Sequence, residues 1–315
     1  MMPIISVVIP AYNASSFLEE SVTSALDQTL SAIEVIIVDD GSTDSTLKIA
    51  RQLASLDDRV RVYSKQNEGV EKTRNLGIEK ASSEWIAFLD ADDRWLKSKL
   101  ELQMAFLQSN PSVSAVSTYG RYFSERKGVF GVLQYGPVSD DEYHDLIALG
   151  NPVWLLTSSV LCRRDILLNL GGFDASFMGA AEDLDMWTRI AENVPVQTVP
   201  KHLVEFRISS GSASMEKFNI IQENTIRVRI NAKRRKEGMP ALSKQEFDIW
   251  LKGIDQKTIK KWHKEWRASF LYRVAGDCYL QSRYASFAKN LGHSFVISPR
   301  VSLSKLGKQV FSSVI

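Results

Sequence analysis

Between Ile5 and Leu107, short runs of β-branched residues alternate with longer amphipathic segments, and each run ends abruptly in small, polar or acidic residues. This is the pattern of βα units building a mostly parallel sheet, whose strands are covered on both faces and therefore read as near-continuous apolar stretches. The strands are ISVVIP from Ile5, IEVIIVDD from Ile33, VRVYSK from Val60 and WIAFLD from Trp85. Each precedes a helical segment opening on small or polar residues such as Ser15, Ser42 or Ser98. Ligands of open parallel sheets sit beyond the carboxyl ends of the strands, which directs attention to residues 10–13, 39–42, 67–69 and 90–93.

Beyond Asn110 the order loosens into a strand-like SVSAVSTYGRYF, a glycine-containing loop region, TSSVLCRR, and a helix expected near Glu182 from the spacing of Leu184, Trp187 and Ile190. From about Met215 basic residues increase and strand signals fade, so a boundary near Ser214 divides an α/β domain, 1–214, from a mainly helical region, 215–315. A chain of 315 residues, 44% hydrophobic, buries one large core and still carries such an appendage. Its 39 basic residues against 37 acidic ones are too balanced for a general polyanion binder, and no nucleic-acid partner is expected. Cys162 and Cys278 have no metal or disulfide-framework spacing, which fits a reducing, cytoplasmic setting. No apolar stretch approaches the roughly 20 residues of a membrane-spanning helix.

Chemistry concentrates in three acidic clusters. Asp39 and Asp40 end an apolar strand and run into Gly41 and Ser42, which reads as a turn with a helix cap or as a ligand-facing strand end. FLDADD places Asp90 and Asp92 two apart, with Asp93 beyond. Crowded carboxylates are costly unless neutralised, and an incomplete all-oxygen shell suits Mg²⁺ or Mn²⁺ finishing its coordination on phosphate and water. In AEDLDMW, Glu182, Asp183 and Asp185 open a helix, either as acids favoured by its dipole or with one serving as a base towards a hydroxyl. Between the first two clusters, Gly69 starts a helix whose opening turns carry Lys72 and Arg74, cations suited to diphosphate oxygens or to a solvated face.

In this order PAYN, VDDGSTDST, NEG with TRN, FLDADDRW, and GGFD with EDLDMW resemble the inverting glycosyltransferase family 2, over roughly residues 4 to 214. The resemblance implies a GT-A fold, a Rossmann-like α/β sheet flanked by helices, with a helical C-terminal extension. It implies a nucleotide-diphosphate sugar donor, UDP-linked by expectation, with Pro10, Tyr12 and Asp40 at the nucleobase. Arg74 falls near base and phosphate, Asp90 towards the ribose and Asp92 on a divalent cation. Asp183 becomes the catalytic base, with Glu182 beside the acceptor. Trp154, in the irregular stretch 120–160, is placed on the acceptor side. Where related chains carry a histidine in a phrase like YRxHxGS this one reads FRISSGSAS, with Ser209 at that position, and the QxxRW phrase of processive synthases is absent.

The expected function is transfer of one sugar to a glycan or lipid-linked glycan in cell-surface polysaccharide biosynthesis. The competing readings are a sugar-nucleotide nucleotidyltransferase, for which AYNASSF after the first strand lacks a glycine-rich basic loop, and a non-catalytic sugar-nucleotide-binding protein. Lys233 to Lys236 and the Trp/Lys-rich stretch Lys260 to Arg267 suggest peripheral contact with an anionic membrane, or else a solvated basic face whose tryptophans pack on the catalytic domain.

Overall fold

The computed structural model describes residues 2–208 and 217–312. The four strands read from the amino-terminal pattern are β1 (Ile5–Ala11), β2 (Ile33–Asp39), β3 (Val60–Ser64) and β4 (Trp85–Phe88), and they pair in parallel in the order β3-β2-β1-β4. Every residue of β1 and β2 is buried, because helices α1 (Leu18–Leu26), α2 (Thr46–Leu56) and α3 (Val70–Lys80) cover both faces. Glu34, the charged residue in that interior, is held by Ser6 Oγ at 2.6 Å, Ser82 N at 2.8 Å and Arg61 at 3.0 Å.

Past β4 the sheet is mixed. β8 (Leu161–Arg163) lies antiparallel between β4 and β6 (Ala115–Ser124), β9 (Val196–Arg207) runs parallel to β6, and β5 (Arg94–Trp95) and β7 (Gly128–Leu133) pair antiparallel to β9 and β6. β4 and β5 are far apart in the strand order yet only residues 89–93 join them. The end of β9 lies against that connection, where Arg207 N donates to Asp93 Oδ1 at 3.0 Å and Arg207 Nε to Asp92 O at 2.7 Å. Helices α4 (Lys99–Ser109), α5 (Asp140–Leu149), α6 (Arg164–Asn169) and α7 (Glu182–Asn193) complete the domain, α7 starting where the apolar spacing places it.

The helices after β1 and β2 begin later than Ser15 and Ser42 suggest, at Leu18 and Thr46. Those polar residues stitch the two loops together instead: Asn13 N donates to Ser42 Oγ at 3.0 Å, Thr43 N to Asn13 Oδ1 at 2.9 Å, and Ser15 N to Asp44 at 3.2 Å.

The carboxyl-terminal region is helical: α8 (Phe218–Lys236), α9 (Lys244–Lys252), α10 (Gln256–Leu280), α11 (Tyr284–Ile297) and α12 (Pro299–Ser312). The boundary near Ser214, and Ser209 itself, fall outside the described residues. Among the described residues no helix is long and apolar enough to cross a membrane. The basic run 233–236 is largely committed within the protein. Arg235 pairs with Glu192 of α7 at 3.0 Å, Arg234 Nε donates to Pro240 O at 2.8 Å, and Lys236 donates to Ala148 O at the end of α5. It therefore fastens α8 to the α/β domain rather than forming a free cationic face. On α10, Trp262 and Trp266 stack on each other with centroids 6.3 Å apart, while Lys260, Lys261, Lys264 and Arg267 are exposed.

Candidate active site

The carboxyl ends of β2, β1 and β4 stand side by side, so Asp40, Tyr12 and Asp90 span about 10 Å across two strand spacings. Asp40 is buried and donates its amide to Ala11 O at 2.8 Å, which ties the β2 end to the PAYN loop. Its carboxylate accepts Glu68 N at 2.9 Å, Gly69 N at 3.0 Å and the Lys65 ammonium, so it fixes the turn into α3. Gly41 makes that turn possible, at φ +70° with Asn67 N only 2.7 Å from where a Cβ would stand. Pro10 is buried opposite Val38, while the Tyr12 ring is 51% exposed beside them.

Helix α3 meets β1 at Gly77, where a Cβ would fall 2.3 Å from Val8 Cγ1. This close approach carries Arg74, one turn earlier, into the interior. Its guanidinium donates from Nη2 to Asp90 Oδ1 and from Nη1 to Glu182 Oε1, both at 2.8 Å, and lies 5.3 Å from the Phe173 ring. Burial presses the Arg74 pKa down, but Asp90 and Glu182 more than offset this and hold it above its usual value. Lys72 is not brought to this point. Two residues along a helix is 200° of rotation, and Lys72 lies on the solvent face, paired with Glu68 at 2.8 Å.

Asp183 follows Glu182 into the same space, half-buried, with Oδ2 accepting Thr157 Oγ1 at 3.1 Å and Oδ1 accepting Leu184 N at 2.7 Å. Burial, with the Glu182 carboxylate adding to it and Arg74 opposing, pushes its pKa up to about 6. A carboxylate with that pKa is ionised at neutral pH and more basic than a solvated one, which suits deprotonation of a hydroxyl. Glu182 itself is spent on Arg74.

Within FLDADD the three aspartates have three different environments. Asp90 is paired to Arg74. Asp93 is fully enclosed, accepting Ser158 Oγ at 2.5 Å and Arg207 N at 3.0 Å, and so belongs to the scaffold. Asp92 has its pKa pushed up to about 6 by burial and by the Asp90 carboxylate, the situation a bound cation relieves. Among the described residues no group of three or more His, Cys, Asp or Glu is arranged as a metal cage. With Asp90 taken up by Arg74, Asp92 alone fits a hard divalent ion that completes its shell on diphosphate and water, and does not fit a protein-only site.

Sequence reasoning missed the parts that hold this arrangement. Arg207, at the end of β9, donates from Nε to Asp92 O at 2.7 Å, pairs with Glu20 and Glu125, and lies over Phe123 at 4.2 Å. It stands two residues before Ser209, in a phrase read only for its absent histidine. Below the site, Trp95 Nε1 donates to Ser158 O at 2.6 Å, and Gln103 Nε2 to Ser159 O at 2.8 Å and Val116 O at 3.0 Å. The Lys99 amine, wholly buried and with its pKa pushed well down by that burial, donates to Gln103 Oε1 at 2.8 Å and sits 4.0 Å over Trp95. This layer supports the 3₁₀ turn Thr157–Ser159, which presents Thr157 to Asp183 and Ser158 to Asp93 and the Asp90 amide. From outside the 1–214 domain, Asn224 of α8 donates to Phe177 O and Ala180 O at 2.9 and 2.8 Å, bracing the loop that enters α7. Trp154, three residues before that turn, is 46% exposed.

Comparison with known proteins gives the family and the fold. The family model of glycosyl transferase family 2 matches residues 6–169. An uncharacterised glycosyltransferase of Rickettsia felis is 31% identical over 211 residues, covering 66% of this chain and 33% of that protein. The putative teichuronic acid biosynthesis glycosyltransferase TuaG of Bacillus subtilis is 42% identical over 118 residues, 37% of this chain and 47% of that one. The chain thus spans a third to a half of the length of these relatives. Among solved structures, S. aureus TarS 1–349 in complex with UDP superposes with a TM-score of 0.56 at 18% identity, over 98% of this chain and 92% of that one. The mannosyltransferase PcManGT from Pyrobaculum calidifontis, solved with GDP-Man and Mn²⁺, gives 0.55 at 17% identity, over 100% and 81%. These two share the GT-A architecture of a parallel amino-terminal half and a mixed remainder. Because the family model runs from β1 through the DxD loop to the end of α6, over half of the sequence, the chain belongs to glycosyl transferase family 2.

Proposed function

We propose that the chain transfers one sugar from a nucleotide-diphosphate donor, UDP-linked, to a glycan or lipid-linked glycan acceptor with inversion. One observation carries this reading: the buried Arg74 clasps Asp90 of the DxD loop and Glu182 of the EDLD helix, which brings donor-side and acceptor-side carboxylates to a common space. Pro10, Tyr12 and the Asp40 turn frame the nucleobase, and Asp90 faces the ribose. Asp92 would hold Mn²⁺ or Mg²⁺, which would supply charge neutralisation to a departing diphosphate. Asp183, ionised and held by Thr157, takes the proton of the acceptor hydroxyl as that oxygen attacks the anomeric carbon from the face opposite the diphosphate. Glu182 acts by fixing Arg74, and Trp154 lies on the acceptor side.

UDP in TarS and GDP-Man with Mn²⁺ in PcManGT support the donor class, and the name of TuaG supports a role in cell-surface polysaccharide synthesis. A panel of nucleotide sugars, each incubated with Mn²⁺ and the full chain, tests the reading by release of nucleoside diphosphate. Turnover is expected with one donor or a few. Silence across the panel, or pyrophosphate release from a nucleoside triphosphate and a sugar phosphate, would replace it with one of the other two readings.

Contact with an anionic membrane at the cytoplasmic face is proposed for the exposed cations of α10 alone, Lys260, Lys261, Lys264 and Arg267. Salt-sensitive flotation with anionic liposomes is expected, and no association at low salt would remove this part.

A further inference from the structure

Next to the segment that leads into the Thr157–Ser159 turn, the surface opens into a cleft of about 410 Å³ between the turn at 134–137, helix α5 and the extended segment 152–154. Trp154 and Tyr135 line it with 46% and 41% of their surface bare. Two large half-exposed aromatics on the walls of one cleft form a recognition surface rather than scattered apolar exposure. Glu142 and Asp145 of α5 line the same space. Tyr119 lies within electrostatic reach of Glu142, and its ring is 5.6 Å from that of His202, whose buried Nε2 has no partner.

The cleft is tied to the reacting centre by short connections. Thr157, three residues after Trp154, donates to Asp183. Val153 N donates to Thr188 Oγ1 at 3.1 Å, five residues along α7 from Asp183. Trp154 is thus held no more than about 10 Å of chain from the turn that touches Asp183. Neither Thr157 nor Asp183 lines the cleft, so a ring seated in it is a different ring from the one whose hydroxyl meets Asp183.

We propose that this cleft seats an internal, uncharged or amino-substituted pyranose of the acceptor, stacked on Trp154 and Tyr135, while a hydroxyl of the terminal sugar reaches Asp183. The acceptor is then an oligosaccharide chain, not a lone sugar or small aglycone. This rests on the transferase reading above and deepens it. An aromatic face meets the apolar C–H face of a pyranose, and acceptor-only carboxylates at the rim take its hydroxyl or ammonium protons. Asp140, Asp141, Glu142 and Asp145 make the α5 wall acidic, against the one cation of α10, Arg273, that acts on Tyr135. A uronate or phosphate-bearing ring meets like charge there.

The test offers the full chain, without donor, a panel of immobilised neutral, amino and uronate oligosaccharides, and titrates those retained by saturation-transfer NMR. Neutral or amino oligosaccharides are expected to bind saturably and their monosaccharides at least ten-fold more weakly. Trp154→Ala is expected to weaken binding at least ten-fold, with Trp154→Phe restoring most of it. Tyr135→Ala gives an independent reading if Trp154→Ala fails to fold. Retention of no oligosaccharide, preference for uronates, or unchanged affinity in both alanine variants overturns the proposal. Nucleoside diphosphate release is measured on the same preparation. Donor turnover without Trp154-dependent saccharide binding sinks the cleft alone, and saccharide binding without donor turnover sinks the transferase reading alone.

Discussion

The parallel half of the sheet and the mixed half build the site by different routes. At the ends of β1 and β2, Asn13, Ser42, Asp40 and Gly69 are joined by hydrogen bonds spanning 28 to 30 residues, the scale of one βα unit. At the end of β4 the decisive contacts leap much further: 108 residues from Arg74 to Glu182 and 114 from Asp93 to Arg207. The first kind of contact forms wherever the βα pattern folds. The second needs the end of β9 to reach the loop after β4 and α7 to arrive with its first turn against Arg74. The ends of β1 and β2 are therefore a property of local units, and the loop after β4 and the start of α7 a property of the whole domain.

Removing the clasp should break the comparison most severely. Arg74→Met leaves Glu182 buried and Asp90 half-buried without their cation, so a loss of about 3–5 kcal/mol in urea unfolding is expected, together with donor turnover below detection. A stable, fully active variant would show that the two halves are not joined there.

Asp183→Asn tests the acceptor side alone. Turnover should fall about 10²–10⁴-fold while calorimetric affinity for the nucleotide is kept. In the wild type the rate should rise with pH through about 6, since the base must be ionised and burial, aided by Glu182, holds its pKa there. The linkage to stability has the opposite slope. A carboxyl whose pKa rises on folding favours the native state most below its unfolded value of 3.8, and that contribution is lost as pH rises through about 6. Asp183→Asn should reduce this slope in pH-dependent melting by the share of Asp183, leaving that of Asp92.

Mn²⁺ binding sharpens the donor side. With no described three-carboxylate cage, electron paramagnetic resonance should show weak binding to the chain alone and at least ten-fold tighter binding with UDP. Asp92→Asn should remove the nucleotide-dependent part. Tight binding without nucleotide would contradict the donor set described above.

The smallest effect is expected from Gln103→Leu, which unties the turn that carries Thr157 and Ser158. A loss of about 1–3 kcal/mol in stability should follow from its buried partners. Because Thr157 lowers the pKa of Asp183, the pH–rate profile should also move to higher pH. A stability loss with an unmoved profile would make Gln103 a packing residue only.

How much could be read beforehand differs between the same two regions. The strands, the parallel order and the positions of Asp40, Asp90, Asp92 and Asp183 at element ends were legible because burial on both faces demands apolar runs, and each run marks its own end. Lys72 and Arg74 looked alike as two cations opening a helix. Only the packing at Gly77 against Val8 decided which one enters the interior. Asp93 read only as one more carboxylate of its cluster and is a scaffold carboxylate, because Ser158 and Arg207 arrive from strands and turns distant in the chain. The basic run at 233–236 looked like a surface and is a fastening, since Glu192 and Ala148 lie beneath it.

The sequence by itself determined the α/β class, the sites where the sheet exposes its strand ends, and the kinds of side chain waiting there, because these depend on periodicity and on interactions within a βα unit. Which acid is paired, which is raised in pKa and which faces open space was decided by tertiary structure. Those properties depend on desolvation and on charges brought together across more than a hundred residues, and no spacing along the chain encodes them.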